Sequence, residues 1–294
     1  MKQSIVILTE DRYENPKEKN WYTKNILKED SLLLNALCSL GFQVTRSSWS
    51  SKTFNWDNVD YAIFRTTWDY FERLDEFLDW INSYSKKIKF INDLDLILWN
   101  LDKKYLQEFP KKDIVPSLFL KLNEKTSLAT IFKKTGWEKI VIKPSVSAAA
   151  WNTHLVSRER VQNFELIFNK LKKEHKMIVQ EFQPSVLTFG EISLIIFGGK
   201  FSHAVLKKAK KKDYRVQDDF GGTVTVYQPQ KKEIDFAEKI VKSCPKKPLY
   251  ARVDVLFNNN NKPVLSELEV IEPELWFRFN EKGADFLAQQ VFNF

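Results

Sequence analysis

The chain is poor in cysteine: two in 294 residues, Cys38 and Cys244, with no Cys-x-x-Cys pair. That excludes a disulfide framework and speaks against a thiolate zinc site. Glycine is also scarce, at eight residues. No Gly-x-x-x-x-Gly-Lys-Ser/Thr run is present, and "FGGKFS" (197–202) has neither its spacing nor its final hydroxyl residue. Gly-x-Gly-x-x-Gly is absent too, which counts against a dinucleotide-binding first domain. No Ser–His or Cys–His nucleophilic arrangement is evident. No apolar run approaches the length of a membrane span. The opening "MKQSIVILTEDR" holds only Ile5 to Leu8 as an apolar run, too short for a signal segment and better suited to a first β-strand. These absences predict a soluble cytoplasmic protein with reduced thiols and no membrane partner.

What is present suits a globular chain of one large or two to three small packed domains. Hydrophobic residues make up 43%, rings 14%, and charged residues of both signs, interspersed, 29%. The net charge of +8 suits an anionic partner such as nucleic acid, a lipid surface or a nucleotide phosphate, or it reflects lysine-rich coding bias. A nucleic-acid binder would gather basic residues on one face with aromatic platforms between them. Here they are spread along the chain apart from "KKAKKKD" (207–213), so no nucleic-acid partner is expected.

"SIVIL", the helical pattern of "KEDSLLLNALCSLGF", "FQVTRS", Tyr61 to Arg65, and then "RLDEFLDWINSY" alternate strand and helix. Such alternation predicts a parallel sheet with helices on its faces. Functional groups in such sheets sit beyond the carboxyl ends of the strands, where Arg65 and Asp69 stand. An Arg fork there grips a carboxylate and an Asp grips an ammonium; the alternative is a local ion pair or a helix cap. "PKKDIVPSLFL", with prolines at 110 and 116, reads as a hinge or linker. From Ile140 onward antiparallel strand signals take over. The pattern predicts an α/β (α+β) architecture, parallel first and antiparallel after.

The segment "YARVDVLFNNNNKPVLSELEVIEPEL" (250–275) reads as a hairpin. With a four-residue loop at 258–261, or a two-residue Asn-Asn turn, Arg252 lies opposite Glu267 and Asp254 opposite Leu265. Asp254, Glu267, Glu269 and Arg252 then share one face; a loop of odd length would put the acids on opposite faces. Carboxylates so close resist ionising together. A hard divalent cation such as Mg²⁺, or Mn²⁺ in its place, would relieve them. The alternative is an edge strand with a solvated face on which Arg252 pairs with Glu267. Glu272 and Glu274 read as surface or supporting residues, Trp68 and Trp151 as packing or as walls of a pocket, and His154 and His203 as satisfied structural histidines.

With these blocks the sequence resembles the ATP-grasp superfamily of carboxylate ligases. "ARVDVLF…VLSELEV" is similar to the metal-holding segment of D-alanine ligases and glutathione synthetases, with Glu269 where Asn is usual. The resemblance implies Asp254, Glu267 and Glu269 as metal ligands and Arg252 as the arginine that steadies the transferring phosphoryl group. "VIKPSVSAAAWNT" resembles the strand and loop that meet the nucleotide phosphates, implying Lys143, then Ser147 and Ala148 in a small-residue loop that here carries alanines. "IVQEFQPSVLTFGEISL" resembles the adenine hinge, implying Gln180, Glu181, Phe182 and Gln183 at the base and Glu191 at the ribose. Lys103 in "LDKKYL" matches a further phosphate lysine. Together with "FRTTWDY", "LWNLDKKYL" and "SHAVLKKAKKKDYRVQDDFGG", which imply roles for Lys207 and Arg215, the chain resembles the branch that contains the O-ureido-serine cyclo-ligase of cycloserine biosynthesis. By this resemblance the motifs between 103 and 275 imply three units: 1–95, a substrate domain; 96–183, a central lobe; and 184–294, a C-terminal lobe. The implied activity is ATP- and Mg²⁺-dependent activation of an amino-acid-like carboxylate for attack by an amine or an internal nitrogen. The competing expectations are a nucleic-acid-binding protein and a degenerate fold that binds nucleotide without ligating. A homo-oligomer is left open.

Overall fold

Thirteen strands sort into three sheets in a computed structural model that describes residues 2–18, 20–210, 213–216 and 221–294. The first sheet is parallel, in order β2-β1-β3-β4, from β1 (Ser4–Thr9), β2 (Gln43–Ser48), β3 (Tyr61–Thr66) and β4 (Lys89–Ile91). β1 and β3 are buried nearly end to end, as strands covered on both faces must be. On one face lie the helix Trp21–Ser39 and the C-terminal helix Lys282–Phe292; on the other, Trp49, Trp56, Phe64, Phe77, Trp80 and Phe90 form a ring-rich core. The long helix begins seven residues before the expected segment, because Asn20 caps it by accepting from the Thr23 amide at 2.9 Å.

The second sheet is antiparallel, in order β5-β8-β6-β7, from β5 (Ser117–Leu120), β6 (Lys139–Pro144), β7 (His154–Ser157) and β8 (Met177–Glu181), backed by helices Leu128–Thr135 and Val161–Glu174. β5 falls inside the stretch that reads as a linker. Its Pro116 stands just before the first residue of an edge strand, where a missing amide costs nothing. The third sheet, order β11-β10-β9-β12-β13, contains β9 (Glu191–Phe197), β10 (Lys200–Lys208), β11 (Thr223–Tyr227), β12 (Tyr250–Phe257) and β13 (Pro263–Glu269). Helix Lys231–Lys242 covers its core face. The "KKAKKKD" run and the "SHAVLKKAKKKDYRVQDDFGG" block lie partly outside the described residues.

The sheets are bolted together by buried polar side chains. The Tyr250 hydroxyl lies 3.1, 3.0 and 2.6 Å from the carbonyls of Phe64, Ile91 and Ile271. The Asn92 amide donates to the carbonyls of Tyr250 and Val270 at 2.8 and 2.7 Å. β13 would be an open edge, but Asn100 and Tyr105 close it. The Tyr105 hydroxyl both donates to the Leu268 carbonyl and accepts from its amide, each at 2.8 Å. Asn100 does the same for Leu268 O and Val270 N at 2.9 and 3.0 Å. Further along, Leu265 is paired to Asp113 and Val115.

The hairpin differs from both expected registers. Phe257 pairs with Pro263, so the loop has five residues, an odd number. A bulge at Ser266 then restores the parity: Val255 pairs with Leu265, but Asp254 pairs with Glu267 and Arg252 with Glu269. Leu265 consequently joins the apolar core with Leu268 and Val270, while Glu267 and Glu269 stay beside Asp254. A one-residue insertion in one strand has this effect because two residues oppose one there.

Candidate active site

A cleft of about 260 Å³ opens between the second and third sheets, with the first domain closing one end. Its walls carry Lys103, Lys143, Ser147, Ala148, Gln180, Glu181, Phe182, Gln183, Glu191, Lys207, Arg215, Arg252, Asp254, Glu267 and Glu269. Residues separated by up to 166 positions are brought together because β6, β8, β9, β10, β12 and β13 present side chains to one space that the 3-10 turn Lys103–Glu108 and the loop after β6 also reach.

The apolar half belongs to Val115, Val141, Phe182, Val186, Val216 and Leu256, which pack as one cluster between the sheets and line the cleft. Gln183 is 3% exposed, with its side-chain oxygen buried and without a hydrogen-bond partner, while its amide donates to the Glu181 carbonyl at 3.1 Å.

The polar half alternates charges. Arg252 forks onto Asp254, Nε to Oδ1 at 3.1 Å and Nη2 to Oδ2 at 2.9 Å, and also pairs with Glu269. Lys207 lies 2.6 Å from Glu191 and 3.2 Å from Asp254. Across the cleft, Lys103 and Lys143 reach the two oxygens of Glu267 at 3.2 and 3.5 Å. Burial alone would raise the Asp254 pKa; Arg252, Lys207 and a 2.5 Å bond from Ser193 outweigh it and hold the carboxyl far below the usual range. Glu267 is likewise lowered, by Lys103 and Lys143 against burial. Glu269 is pushed up to about 7, by burial first and then by Asp254 and Glu267, against the pull of Arg252. Lys207 is raised, its two acids overcoming burial.

Local backbone supports this array. Gly190 has φ +115°, and a Cβ there would stand 2.4 Å from the Lys207 carbonyl, so only glycine lets β9 start beside Lys207. In the small-residue loop Ala149, Ala150 and Asn152 take left-handed backbone with φ of 48°, 55° and 49°. The Lys103 ammonium is bonded to the Ser147 carbonyl at the start of that loop.

Arg65 and Asp69, expected to touch substrate, stand behind the cleft wall. Arg65, 2% exposed, donates to the Pro273 carbonyl at 2.8 Å and faces Glu29 at 3.6 Å. Asp69 accepts from the Trp49 indole at 2.8 Å and pairs with Arg73, four residues on. The buried end of a parallel sheet pairs its own charges before offering them to a ligand, so the local-pair alternative describes Asp69. Glu272, read as surface or support, is 7% exposed and lines the cleft, as do Glu274, Trp68, Tyr22, Tyr70 and Trp276. Only the "IEPEL" acids and Trp68 carried a signal in the sequence; the others are ordinary aromatics there. His203 is held by Ser202 at 2.9 Å and the Leu275 carbonyl at 2.8 Å, away from the cleft.

Residues 102–275, more than half of the chain, match the ATP-grasp domain of prokaryotic glutathione synthetase, and residues 5–92 match the N-terminal domain of D-cycloserine synthetase DcsG. The chain therefore belongs to the ATP-grasp family, the ATP-dependent ligases that join carbon to nitrogen. Among individual proteins, it is similar to the cycloserine biosynthesis protein DcsG of Streptomyces lavendulae, at 24% identity over 276 residues, covering 88% of this chain and 91% of that one. The crystal structure of D-cycloserine synthetase DcsG superposes with a TM-score of 0.86 at 22% identity, over 99% of both chains. That of D-alanine–D-alanine ligase from Bacillus anthracis complexed with ATP gives 0.66 at 14% identity, over 99% of this chain and 96% of that one. No helix among the described residues is long and apolar enough to cross a membrane.

Proposed function

We propose that this ligase uses ATP to convert the carboxylate of a small, amino-acid-like substrate to an acyl phosphate, which an amine or an internal nitrogen of the same substrate then attacks. The observation that carries the reading is the facing of Lys103 and Lys143 on Glu267 across the cleft from the Arg252–Asp254–Lys207 group. Four cations around one water-poor space suit a triphosphate and the charge that moves between its oxygens.

The substrate carboxylate oxygen attacks the γ-phosphorus and the bond to the β-phosphate oxygen breaks, releasing ADP. Lys143 and Lys103 bind phosphate oxygens from the central lobe, while Arg252 and Lys207 face the transferring group from β12 and β10. The nitrogen then adds to the acyl carbon, loses a proton, and phosphate leaves. Positioning and fixed charge carry the chemistry, with no protein nucleophile. The apolar cluster with Phe182 and Val186 suits the adenine ring, Gln180 to Gln183 its edge, and Glu191 the ribose hydroxyls. Ser147 and Ala148 bring backbone amides near the phosphates.

Asp254, Glu267 and Glu269 fit a divalent ion in donor chemistry: three hard oxygen donors on one face, with Glu269 pushed up to about 7 by burial first and then by Asp254 and Glu267. Among the described residues no three His, Cys, Asp or Glu side chains stand so that they could hold a metal ion by themselves; Mg²⁺ ordinarily takes one or two carboxylates plus substrate phosphates. When bound there, the ion supplies Lewis-acid neutralisation of the phosphate oxygens. Phosphate release from ATP across amino acids and their analogues tests the reading. Glu267→Gln and EDTA should each lower turnover by about 10²-fold or more; turnover indifferent to both would refute it.

A further inference from the structure

The ion pairs of the cleft neutralise every acid on β9, β12 and β13, and Glu274 has Arg278. None reaches Glu272 among the described residues, although it is more than nine-tenths buried. Its side-chain hydrogen-bond partner is the neutral hydroxyl of Tyr70, and its main-chain carbonyl is fixed by the Trp68 indole at 3.0 Å. A buried carboxylate without an ion-pair partner is costly; burial and the nearby Glu269 resist its ionisation, and Lys103, paired to Glu267, offsets them only through space. Beside it Trp276 lines the same end of the cleft with its indole N–H buried and without an acceptor, on a left-handed backbone at φ 58°. Strained backbone and unmatched polar groups persist where a ligand completes them.

The geometry points to Glu272 as the residue that receives the ammonium of the substrate, with the Trp276 N–H donating to an oxygen of the same molecule. The ligand class is a small zwitterion carrying a free amine, enclosed by the rings of Tyr22, Trp68 and Tyr70, whose faces also favour a cation. The assignment rests on the ligase reading for the term "substrate", but not for the binding itself. It moves recognition from Arg65 and Asp69 to the segment those residues support, since Arg65 holds the Pro273 carbonyl next to Glu272.

The test is calorimetric titration of the protein saturated with ADP and Mg²⁺, using serine, alanine and cysteine of both hands beside glycerate and lactate. At least one amino acid should bind about tenfold or more tighter than its hydroxy counterpart. Glu272→Gln should abolish that preference while ADP affinity and its Mg²⁺ dependence stay put, and Trp276→Phe should weaken both partners alike. The unliganded Glu272→Gln protein should melt at or above the wild-type temperature, because an uncompensated buried acid is gone; a supporting structural residue would lower it. Equal binding of amino and hydroxy acids, or no amino-acid binding with ADP present, overturns the assignment. So does a changed Mg²⁺ dependence in Glu272→Gln, which gives the residue to the ion. Phosphate release on the same panel separates the two readings: selective binding without turnover keeps Glu272 as the ammonium site and removes the ligase chemistry.

Discussion

Lys207 shows how much one buried cation can hold. At 3% exposure it bridges Glu191 and Asp254, so Lys207→Met leaves Glu191 without its cation and Asp254 with Arg252 alone, as well as removing a charge from the proposed phosphate path. We expect phosphate release to fall by about 10²–10³-fold and thermal stability to drop by about 3 kcal/mol or more; Lys207→Arg should recover the stability better than the turnover, since its fork has a different shape. His203 gives a pH signature unrelated to catalysis. Burial lowers its pKa to about 4 against the pull of the Leu275 carbonyl. The folded state thus binds this proton later than the unfolded one, whose value is near 6.5. Its contribution is complete above pH 6.5, declines as pH falls, and is gone by about pH 4, amounting to about 1–3 kcal/mol. Urea midpoints of wild type and His203→Gln measured from pH 8 to 4 should converge over that window; parallel curves would count against it.

Strand β13 owes its place to side chains from outside its sheet. Tyr105→Phe leaves the buried Leu268 amide without its partner, while the carbonyl keeps Asn100, at a cost of about 1–3 kcal/mol. Because Glu267 and Glu269 flank Leu268, the same change should weaken ADP–Mg²⁺ binding several-fold in calorimetry, although Tyr105 is a neutral ring. An unchanged Kd alongside lowered stability would separate the edge closure from the site. The bulge at Ser266 makes the complementary point. An odd loop with an unbroken ladder would turn Glu267 and Glu269 into the core against Val253 and Ala251, where unpaired charge is prohibitively expensive.

Tyr250 and Asn92 join the first sheet to the third, and Ile5, Ile63, Ile195, Phe197 and Leu287 share one core across that junction. Lobes fused by a common core should unfold together. Scanning calorimetry should therefore give one transition covering the first and third sheets. Saturation with ATP and Mg²⁺ to about 100 times Kd should stabilise by about 2.7 kcal/mol, and EDTA should remove most of it. A separate early melt of residues 1–95 that ignores nucleotide would contradict the shared core.

Periodicity alone was enough to specify the parallel first sheet, since buried parallel strands such as "SIVIL" advertise themselves by unbroken apolar runs. The charged pattern 252–269 carried the resemblance to carboxylate ligases for the same reason: acids alternate visibly within a strand. Three-dimensional packing settled the rest. Which acid faces which depends on a bulge, a matter of one unpaired residue that no alternation reveals. That Arg65 is engaged by Glu29 and the Pro273 carbonyl while Glu272 has no ion-pair partner among the described residues follows from packing, and charge pairing across a fold is written in its contacts, not in neighbouring letters.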